Sequence, residues 1–186
     1  MSDQQEFNTI EDVKTLVGTY LDFPSEGIVF RDIFPIFRNP SALDCLLNTL
    51  VKEALDFAKK ASSTKIDVVV GLDARGFLFG PTLALKLNAK FVPVRKAGKL
   101  PGVTIKHSYQ KEYGSDELEI QADAILKGEK VLIVDDLLAT GGTCKAAEAL
   151  VEKLGATVVL NQFVIELVDL KGRDILSAPI YSAIKY

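Results

Sequence analysis

The sequence predicts an α/β fold, with a mostly parallel central sheet flanked by helices. Short apolar runs typical of buried strands recur along the chain, and segments with apolar residues at helical spacing separate them. Strands that alternate with helices form βαβ units, and the strands of such units pair in parallel. One of the runs is followed by two adjacent acids and a loop of glycine and threonine. This order suits a ligand site at the edge of such a sheet.

The first part of the chain predicts two helices separated by an irregular segment. Apolar residues within 10–20 stand at helical spacing, and Pro24 and Gly27 then interrupt the pattern. A second helix is predicted to begin near Pro40, because a stripe of leucine, valine and alanine follows at the same spacing. We therefore expect a helix and a small N-terminal hood over about residues 1–38.

The remainder of the chain alternates between strands and helices. The predicted strands are 66–72, 91–95, 131–134 and 158–165, and the predicted helices run through 83–87 and 144–154. Residues 97–121 break this alternation, and within them 104–109 and 117–120 can pair as a hairpin. A long excursion of this kind often forms a flexible lid over an active site, and a solvated β-arm is the alternative. We predict one domain over residues 1–186.

Composition excludes several classes of protein. The 186 residues are 48% hydrophobic and carry a net charge of −3, which argues against a nucleic-acid-binding surface. No apolar run approaches the roughly 18 residues of a membrane-spanning helix, and the first residues do not resemble a signal peptide. Cys45 and Cys144 stand at no metal-ligand spacing, so we expect a cytoplasmic chain without structural disulfides, and neither a membrane nor a nucleic acid as partner.

The segment from 131 to 143 carries the strongest functional signal. A buried run is followed by Asp135 and Asp136, where the strand is expected to end, and then by the loop Ala139–Thr143. Small loop residues let backbone N–H groups close around a phosphate, and the following helix N-terminus favours an anion. The two carboxylates can accept hydrogen bonds from neighbouring hydroxyls such as those of a ribose, directly or through a bound cation. The segment therefore predicts a sugar site beside a phosphate site.

Other interpretations of this segment fit less well. A P-loop needs a Lys and a Ser or Thr after its second glycine, and the nearest candidate, Gly71–Gly76, continues with Phe77. A dinucleotide fingerprint needs spaced glycines before the acid, whereas the glycines here are adjacent and follow the acids. An ordinary strand–turn–helix junction with solvated acids is the remaining alternative.

Cationic residues follow two other predicted strands. Arg75 lies in the loop after the first of them, and Arg95, Lys96 and Lys99 lie at the end of the next. Because the ends of parallel strands share one edge of the sheet, these groups can face the same crevice as the acids. A solvated loop is the alternative for the second cluster.

Five segments resemble the adenine phosphoribosyltransferases of the type I phosphoribosyltransferase family. They are residues 23–33, 71–81, 95–102, 112–114 and 131–143. The resemblance runs from about residue 20 to the C-terminus, with the motifs in family order. It implies the type I phosphoribosyltransferase fold and a purine-salvage reaction in which adenine and 5-phosphoribosyl 1-diphosphate (PRPP) give AMP and diphosphate. It also implies a homodimer and dependence on Mg²⁺, held mainly through PRPP oxygens and water.

The resemblance also implies roles for individual residues. It assigns PRPP binding to Asp73, Ala74, Arg75, Arg95, Lys96, Lys99, Asp135, Asp136, Ala139, Thr140, Gly141, Gly142 and Thr143. It assigns catalysis to Glu112, which would handle the purine proton, and to Arg75. It assigns base binding to Val29, Phe30, Arg31 and Leu167. On residue type alone, Phe30 and Leu167 could equally belong to the core.

Two other functions stay open at this point. A related transferase would use a 6-oxopurine or orotate, and the sequence of the hood argues against it. A regulator would bind PRPP without turnover, but the net charge of −3 and the single-domain length disfavour that class. His107 is expected to lie at the surface or to be satisfied locally, and Cys45 and Cys144 to pack in the interior.

Overall fold

The computed structural model of the chain describes residues 6–60, 65–110 and 115–186. The chain divides into two compact units, one ending at Thr49 and the other beginning at Leu50. The single domain expected over residues 1–186 stays a prediction, since compact units are not by themselves independently folding domains. No described helix is both long enough and apolar enough to cross a bilayer.

The first unit contains two short helices and a two-stranded sheet. Helix α1 (Ile10–Lys14) begins with a capping box, in which the side chains of Thr9 and Asp12 each accept a backbone N–H of the other residue. Strands β1 (Gly18–Leu21) and β2 (Val29–Asp32) pair antiparallel, and the short helix α2 (Phe34–Phe37) follows. The helical spacing over 10–20 was therefore misleading after Lys14. Thr19 and Tyr20 are strand formers, and pairing with β2 outweighs the helical pattern.

Helix α3 (Pro40–Lys60) begins where the sequence predicts. The Asn39 side chain accepts the N–H of Ala42 at 3.1 Å, which satisfies one of the N–H groups that a helix start leaves without a partner. The predicted stripe is buried at Leu46, Leu47, Leu50 and Ala54, whereas Leu55, which was also expected in it, is 38% exposed.

The second unit is built on a seven-stranded sheet with the order β5-β6-β4-β3-β7-β8-β9. In chain order its strands are β3 (Val68–Leu72), β4 (Lys90–Lys96), β5 (Thr104–Gln110), β6 (Ser115–Gln121), β7 (Lys130–Leu138), β8 (Thr157–Glu166) and β9 (Ile180–Lys185). Strands β4, β3, β7, β8 and β9 run parallel, and β6 is antiparallel to both β4 and β5. Helices α4 (Gly80–Leu87) and α5 (Gly142–Lys153) flank it. The predicted mostly parallel α/β fold is confirmed.

The centre of the sheet is the core of this unit. Every residue of β3 is buried, and so are the four apolar residues of β7 from Val131 to Val134. Parallel strands covered on both faces need such continuous apolar runs, because neither face meets water. Burying one valine or leucine side chain contributes about 1.5–3 kcal/mol to the free energy of folding. The central strands are therefore well stabilised, and the polar loops begin at their ends.

Two boundaries near the acids differ from the sequence prediction. Strand β7 continues past Val134 to Leu138, so Asp135 and Asp136 lie within the strand rather than at its end. The reason is pairing: β8 is ten residues long and its Ile165 and Glu166 are in register with Leu137 and Leu138. Helix α5 begins at Gly142, two residues before the predicted start, and strand β9 was not predicted at all.

The expected lid is a hairpin that is joined to the main sheet. Strands β5 and β6 pair in the register Thr104 with Gln121, and β6 also pairs with β4 through Arg95 and Glu119. Leu118 and Ile120 of β6 are buried in the core, which a solvated arm would not show. The flexibility of this segment stays a prediction, and residues 111–114 at its turn lie outside the described residues.

Candidate active site

Three neighbouring parallel strands bring their polar ends together at one edge of the sheet. These strands are β4, β3 and β7, in that order. The Nε atom of Arg75, in a 3₁₀ turn after β3, lies 2.8 Å from Oδ2 of Asp136. The Nε atom of Arg95, near the end of β4, lies 2.8 Å from Oδ2 of Asp73. Charged residues of three separate segments are thus joined in pairs, as the shared edge predicts.

The two adjacent acids are mostly withdrawn from water. Only 7% of the Asp136 side chain is exposed, and Oδ1 of Asp135 accepts the Asp136 N–H at 2.9 Å. Burial first, and the nearby charge of Asp136 second, raise the pKa of Asp135 well above its ordinary value. Burial also raises the pKa of Asp136, although the Arg75 cation opposes the shift. Two crowded carboxylates with one cation favour a ligand that brings hydroxyl donors or further positive charge.

A Gly/Thr loop follows β7 and leads into α5. It borders a small cavity of about 90 Å³, whose walls include Asp135 and every residue from Ala139 to Thr143. Gly141 has φ +83°, a left-handed conformation that glycine adopts without strain, and it precedes the first helical residue. Asp135 and the start of α5 therefore border the same cavity, and Asp136 is paired with Arg75.

Another turn of the chain lies directly behind this loop. The backbone of Gly172 approaches the loop so closely that a Cβ on it would overlap the carbonyl oxygen of Ala139 and lie 2.9 Å from the nitrogen of Gly141. The next residue, Arg173, pairs with both carboxylate oxygens of Glu166, through Nε at 2.9 Å and Nη2 at 2.6 Å. The turn is thus anchored to β8 while it supports the loop.

A second loop, after β4, carries the basic cluster. Nη1 of Arg95 donates to the Lys99 carbonyl at 3.2 Å, and Glu119 accepts the backbone N–H groups of Lys99 and Leu100. The Nζ atom of Lys96 lies 3.4 Å from Oδ2 of Asp116 on β6. Arg95 and the Lys99 backbone are therefore joined, whereas Lys96 is paired with the hairpin.

The residues predicted for base binding lie in both units. In the first unit, the Phe30 ring meets Phe23 edge-on with centroids 5.1 Å apart, and Nη1 of Arg31 donates to Oγ1 of Thr19 at 2.6 Å. Val29 is 43% exposed. In the second unit, Leu167 follows β8, and its N–H donates to the Leu138 carbonyl at 2.9 Å. Their roles stay predictions, and Glu112 lies outside the described residues.

Comparison with known proteins identifies the family. A model of the phosphoribosyl transferase domain matches residues 46–166. The chain is 55% identical to the adenine phosphoribosyltransferase of Candida albicans over 98% of this chain and 94% of that protein. It is 52% identical to adenine phosphoribosyltransferase 1 of Saccharomyces cerevisiae, over 92% and 90% of the two chains. The chain belongs to the adenine phosphoribosyltransferase family.

Solved structures of this family share the fold. The S. cerevisiae enzyme in complex with an imino-altritol bisphosphate and adenine matches with a TM-score of 0.87 at 51% identity, over 94% of this chain and 97% of that one. The Rhodothermus marinus enzyme matches with a TM-score of 0.84 at 42% identity, over 95% and 98%. The chain is therefore a phosphoribosyltransferase, an enzyme that transfers a phosphoribosyl group. The domain match, residues 46–166, spans all three polar strand ends described above.

Two residues of this transferase site were not predicted from the sequence. Glu119 is buried and contacts the basic loop, yet its only signal was a place between two apolar residues that are also buried, Leu118 and Ile120. Gly172 approaches the Ala139–Thr143 loop through its backbone alone, and no pattern of residue types predicts such an approach.

The interior cysteine at the start of α5 is a packing residue. Cys144 is 3% exposed, and its thiol donates to Oδ1 of Asn161 at 3.3 Å. Burial, followed by the charges of Glu148 and Asp135, raises the pKa of its thiol well above the ordinary value. A helix N-terminus can lower a thiol pKa, but here desolvation outweighs that effect.

Proposed function

We propose that this phosphoribosyltransferase makes AMP and diphosphate from adenine and PRPP, a purine-salvage reaction. N9 of adenine forms a bond to C1 of the ribose, the bond from C1 to diphosphate breaks, and the N9 proton is released. One observation carries the proposal: a carboxylate pair lies between a Gly/Thr loop at a helix start and a set of arginines at adjoining strand ends. Those are the groups that the phosphate, ribose and diphosphate of PRPP require. The 55% identity with the C. albicans enzyme supports adenine as the base.

The Ala139–Thr143 loop, called the phosphate loop below, would hold the 5-phosphate end of PRPP. Its backbone N–H groups and the start of α5 favour an anion, and the Thr140 and Thr143 hydroxyls add donors. Asp135 lines the same cavity, so its carboxylate would accept a ribose hydroxyl beside the bound phosphate. Asp136 would accept the second hydroxyl while it retains its pairing with Arg75.

The cations at the other two strand ends would hold diphosphate. Negative charge grows on this leaving group as the anomeric bond breaks, so fixed cations stabilise the transition state more than the substrate. A guanidinium has five N–H donors, so Arg75 can contact Asp136 through Nε and bind an anion as well. The same holds for Arg95 beside Asp73. Lys96 and Lys99 would add further charge from the adjoining loop.

We also propose that Mg²⁺ takes part. The donor set fits a hard cation, because Asp135 and Asp136 offer carboxylate oxygens side by side and burial has already removed much of their hydration. Within the described residues no group of three or more His, Cys, Asp or Glu side chains could hold a metal. PRPP oxygens and water would therefore supply most ligands, and the bound ion would neutralise diphosphate charge.

Adenine recognition is proposed for the Val29–Arg31 segment. Phe30 would stack on the purine, and the strand backbone would pair with its edge: a C=O accepts the amine, and an N–H donates to a ring nitrogen. A base-binding role for Leu167 and a proton-accepting role for Glu112 are proposed on the family resemblance alone. The transition state would have oxocarbenium character, by analogy with other glycosyl transfers, and water must be excluded from it.

The free Cys45 and Cys144 support a cytoplasmic setting, and family membership supports a homodimer.

A base-panel assay tests this proposal. Diphosphate release is measured with PRPP, Mg²⁺ and either adenine, hypoxanthine, guanine or orotate. We expect kcat/KM for adenine to exceed that for hypoxanthine by about 10⁴, because a fixed carbonyl that accepts the adenine amine would face a like acceptor in hypoxanthine. Equal rates with a 6-oxopurine would assign the chain to a different substrate class. PRPP binding without turnover of any base would indicate a regulator instead.

A further inference from the structure

A buried carboxylate lies behind the loop that follows β4 and contains Lys99, called the Lys99 loop below. Glu119 is 1% exposed, and both its chain neighbours, Leu118 and Ile120, are buried as well. A charged group in such a position is costly unless hydrogen bonds replace the lost water. The position therefore raises the question of what this carboxylate holds.

Its hydrogen bonds go to one loop. Oε1 accepts the backbone N–H of Lys99 at 2.7 Å and that of Leu100 at 2.8 Å, and Oε2 accepts the Thr104 hydroxyl at 3.1 Å. Burial acts to raise the pKa of Glu119, but the N–H groups of Leu100, Gly98 and Lys99 and the Thr104 hydroxyl outweigh it and leave the pKa below its ordinary value. The carboxylate is therefore ionised at neutral pH and holds the loop backbone from one side.

The same loop is held from the other side by the active-site arginine. Nη1 of Arg95 donates to the Lys99 carbonyl at 3.2 Å, and its Nε donates to Asp73 at 2.8 Å. The peptide groups around Lys99 are thus fixed between Glu119 and Arg95, while the Lys99 side chain itself is exposed. Where the Lys99 ammonium can reach is set by this backbone, and so is the orientation of the Arg95 guanidinium.

We propose that Glu119 is a positioning residue for the diphosphate subsite: its carboxylate fixes the backbone of the Lys99 loop, and through it the cations that hold diphosphate. This inference rests on the proposed function. A positioning role differs from an ordinary structural role in a measurable way, because the loop that Glu119 holds would contact diphosphate but not AMP.

The test compares Glu119→Ala with Glu119→Gln in both directions of the reaction. A glutamine keeps an Oε1 that can accept both N–H groups, and its Nε2 can donate to the Thr104 hydroxyl, so we expect kinetics within about threefold of wild type. An alanine leaves the loop without its anchor, and a misplacement near 1 Å can cost about a hundredfold. We expect Glu119→Ala to raise KM for PRPP and, in reverse, for diphosphate by about ten- to a hundredfold. KM for adenine and for AMP should stay within about threefold.

Glu117→Ala is the matched control. Glu117 lies two residues earlier on β6 and contacts Ser108 and Lys106 of the same hairpin, so it reports the cost of removing a hairpin acid alone. All four KM values should stay at wild-type levels in this variant. If Glu119→Ala fails to fold, Glu119→Asp takes its place, because a carboxylate one methylene shorter loses reach without leaving a void.

The outcomes separate this inference from the proposed function. If the wild-type enzyme neither turns over adenine nor binds inorganic diphosphate by calorimetry, the proposed function is wrong. If wild type does both, and Glu119→Ala or Glu119→Asp raises all four KM values equally or lowers only the melting temperature, the positioning role is wrong. A selective rise for PRPP and diphosphate, with recovery in Glu119→Gln, supports it.

Discussion

Substitution of Gly172 by alanine should damage the phosphate loop without touching a substrate directly. A Cβ at this position would overlap the carbonyl oxygen of Ala139 and lie 2.9 Å from the nitrogen of Gly141. Both are backbone atoms, which cannot rotate away as a side chain would. The turn that carries Gly172 is itself held by Arg173, whose guanidinium makes two hydrogen bonds to Glu166 at 2.9 and 2.6 Å. We therefore expect most of the displacement to fall on the loop.

The size of the displacement follows from ordinary contact distances. Relaxing the contact with the Gly141 nitrogen from 2.9 Å to the 3.4 Å at which van der Waals contacts become ordinary requires a shift of about 0.5 Å. The overlap with the Ala139 oxygen requires more, so the total is on the order of 1 Å. Misplacement of this size can cost about a hundredfold in rate. That factor corresponds to about 2.7 kcal/mol of transition-state stabilisation.

Steady-state kinetics in both directions checks this expectation. For Gly172→Ala we expect kcat/KM for PRPP to fall about a hundredfold, and KM for AMP to rise, because both molecules carry the 5-phosphate. KM for diphosphate should be unchanged, since diphosphate is proposed to bind at the other loop. The control is Gly128→Ala, where φ is +88° and no atom lies within 4 Å of the added Cβ. It should cost about 1–2 kcal/mol of stability with normal kinetics. A Gly172→Ala enzyme with wild-type KM for PRPP and AMP would refute the reasoning.

The other predictions address groups that would meet the substrates. Asp135→Asn should lower PRPP use strongly, and it should raise the melting temperature of the ligand-free enzyme at pH 7, because it removes a buried charge beside Asp136. The pKa of Asp135 is higher in the folded than in the unfolded state. Asp135 therefore does not destabilise the fold below its unfolded pKa, where it is protonated in both states, and it lowers the free energy of unfolding as pH rises through its folded pKa. The gain should therefore vanish near pH 3, and an equal gain at both pH values in thermal melts would contradict this cause. Arg75→Ala should lower kcat about a hundredfold, in line with loss of a charge contact that strengthens in the transition state, and an effect on melting temperature alone would exclude that role. Phe30→Ala should raise KM for adenine more than KM for PRPP, and the reverse order would remove the stacking assignment.

Local patterns in the sequence predicted the fold correctly, and the roles they assign to the site residues stay predictions. Val131 to Val134 predicted a buried strand because a strand covered on both faces must be apolar, and the sheet confirms it. The end of that strand was not predictable, since Leu137 and Leu138 remain extended by pairing with β8. Strand pairing also explains the error after Lys14, where residues at helical spacing form a strand because they pair with β2.

Contacts between distant segments could not be predicted from local pattern. The pairing of Arg75 with Asp136 depends on β3 and β7 being neighbours, which only the sheet order reveals. Glu119 looks like one acid among 25 acidic residues until the hairpin places it behind the Lys99 loop. Gly172 has no side chain, so no pattern of residue types marks it. It matters because a Cβ at this position would overlap backbone atoms of the phosphate loop.

Glu119 and Gly172 give the enzyme two separate supports, one behind each of the two loops proposed to bind PRPP. Glu119 fixes the loop proposed for diphosphate, and the turn at Gly172 fixes the loop proposed for the 5-phosphate. The described contacts of the two residues share no partner, so their effects on the free energy of activation should add. The two products distinguish the two supports, because KM for diphosphate should rise in Glu119→Ala and KM for AMP should rise in Gly172→Ala. A variant carrying both Glu119→Ala and Gly172→Ala should lose kcat/KM for PRPP by the product of the single factors. A much smaller loss would mean that the two loops move as one body, and that PRPP is held as a unit rather than at two independently supported ends.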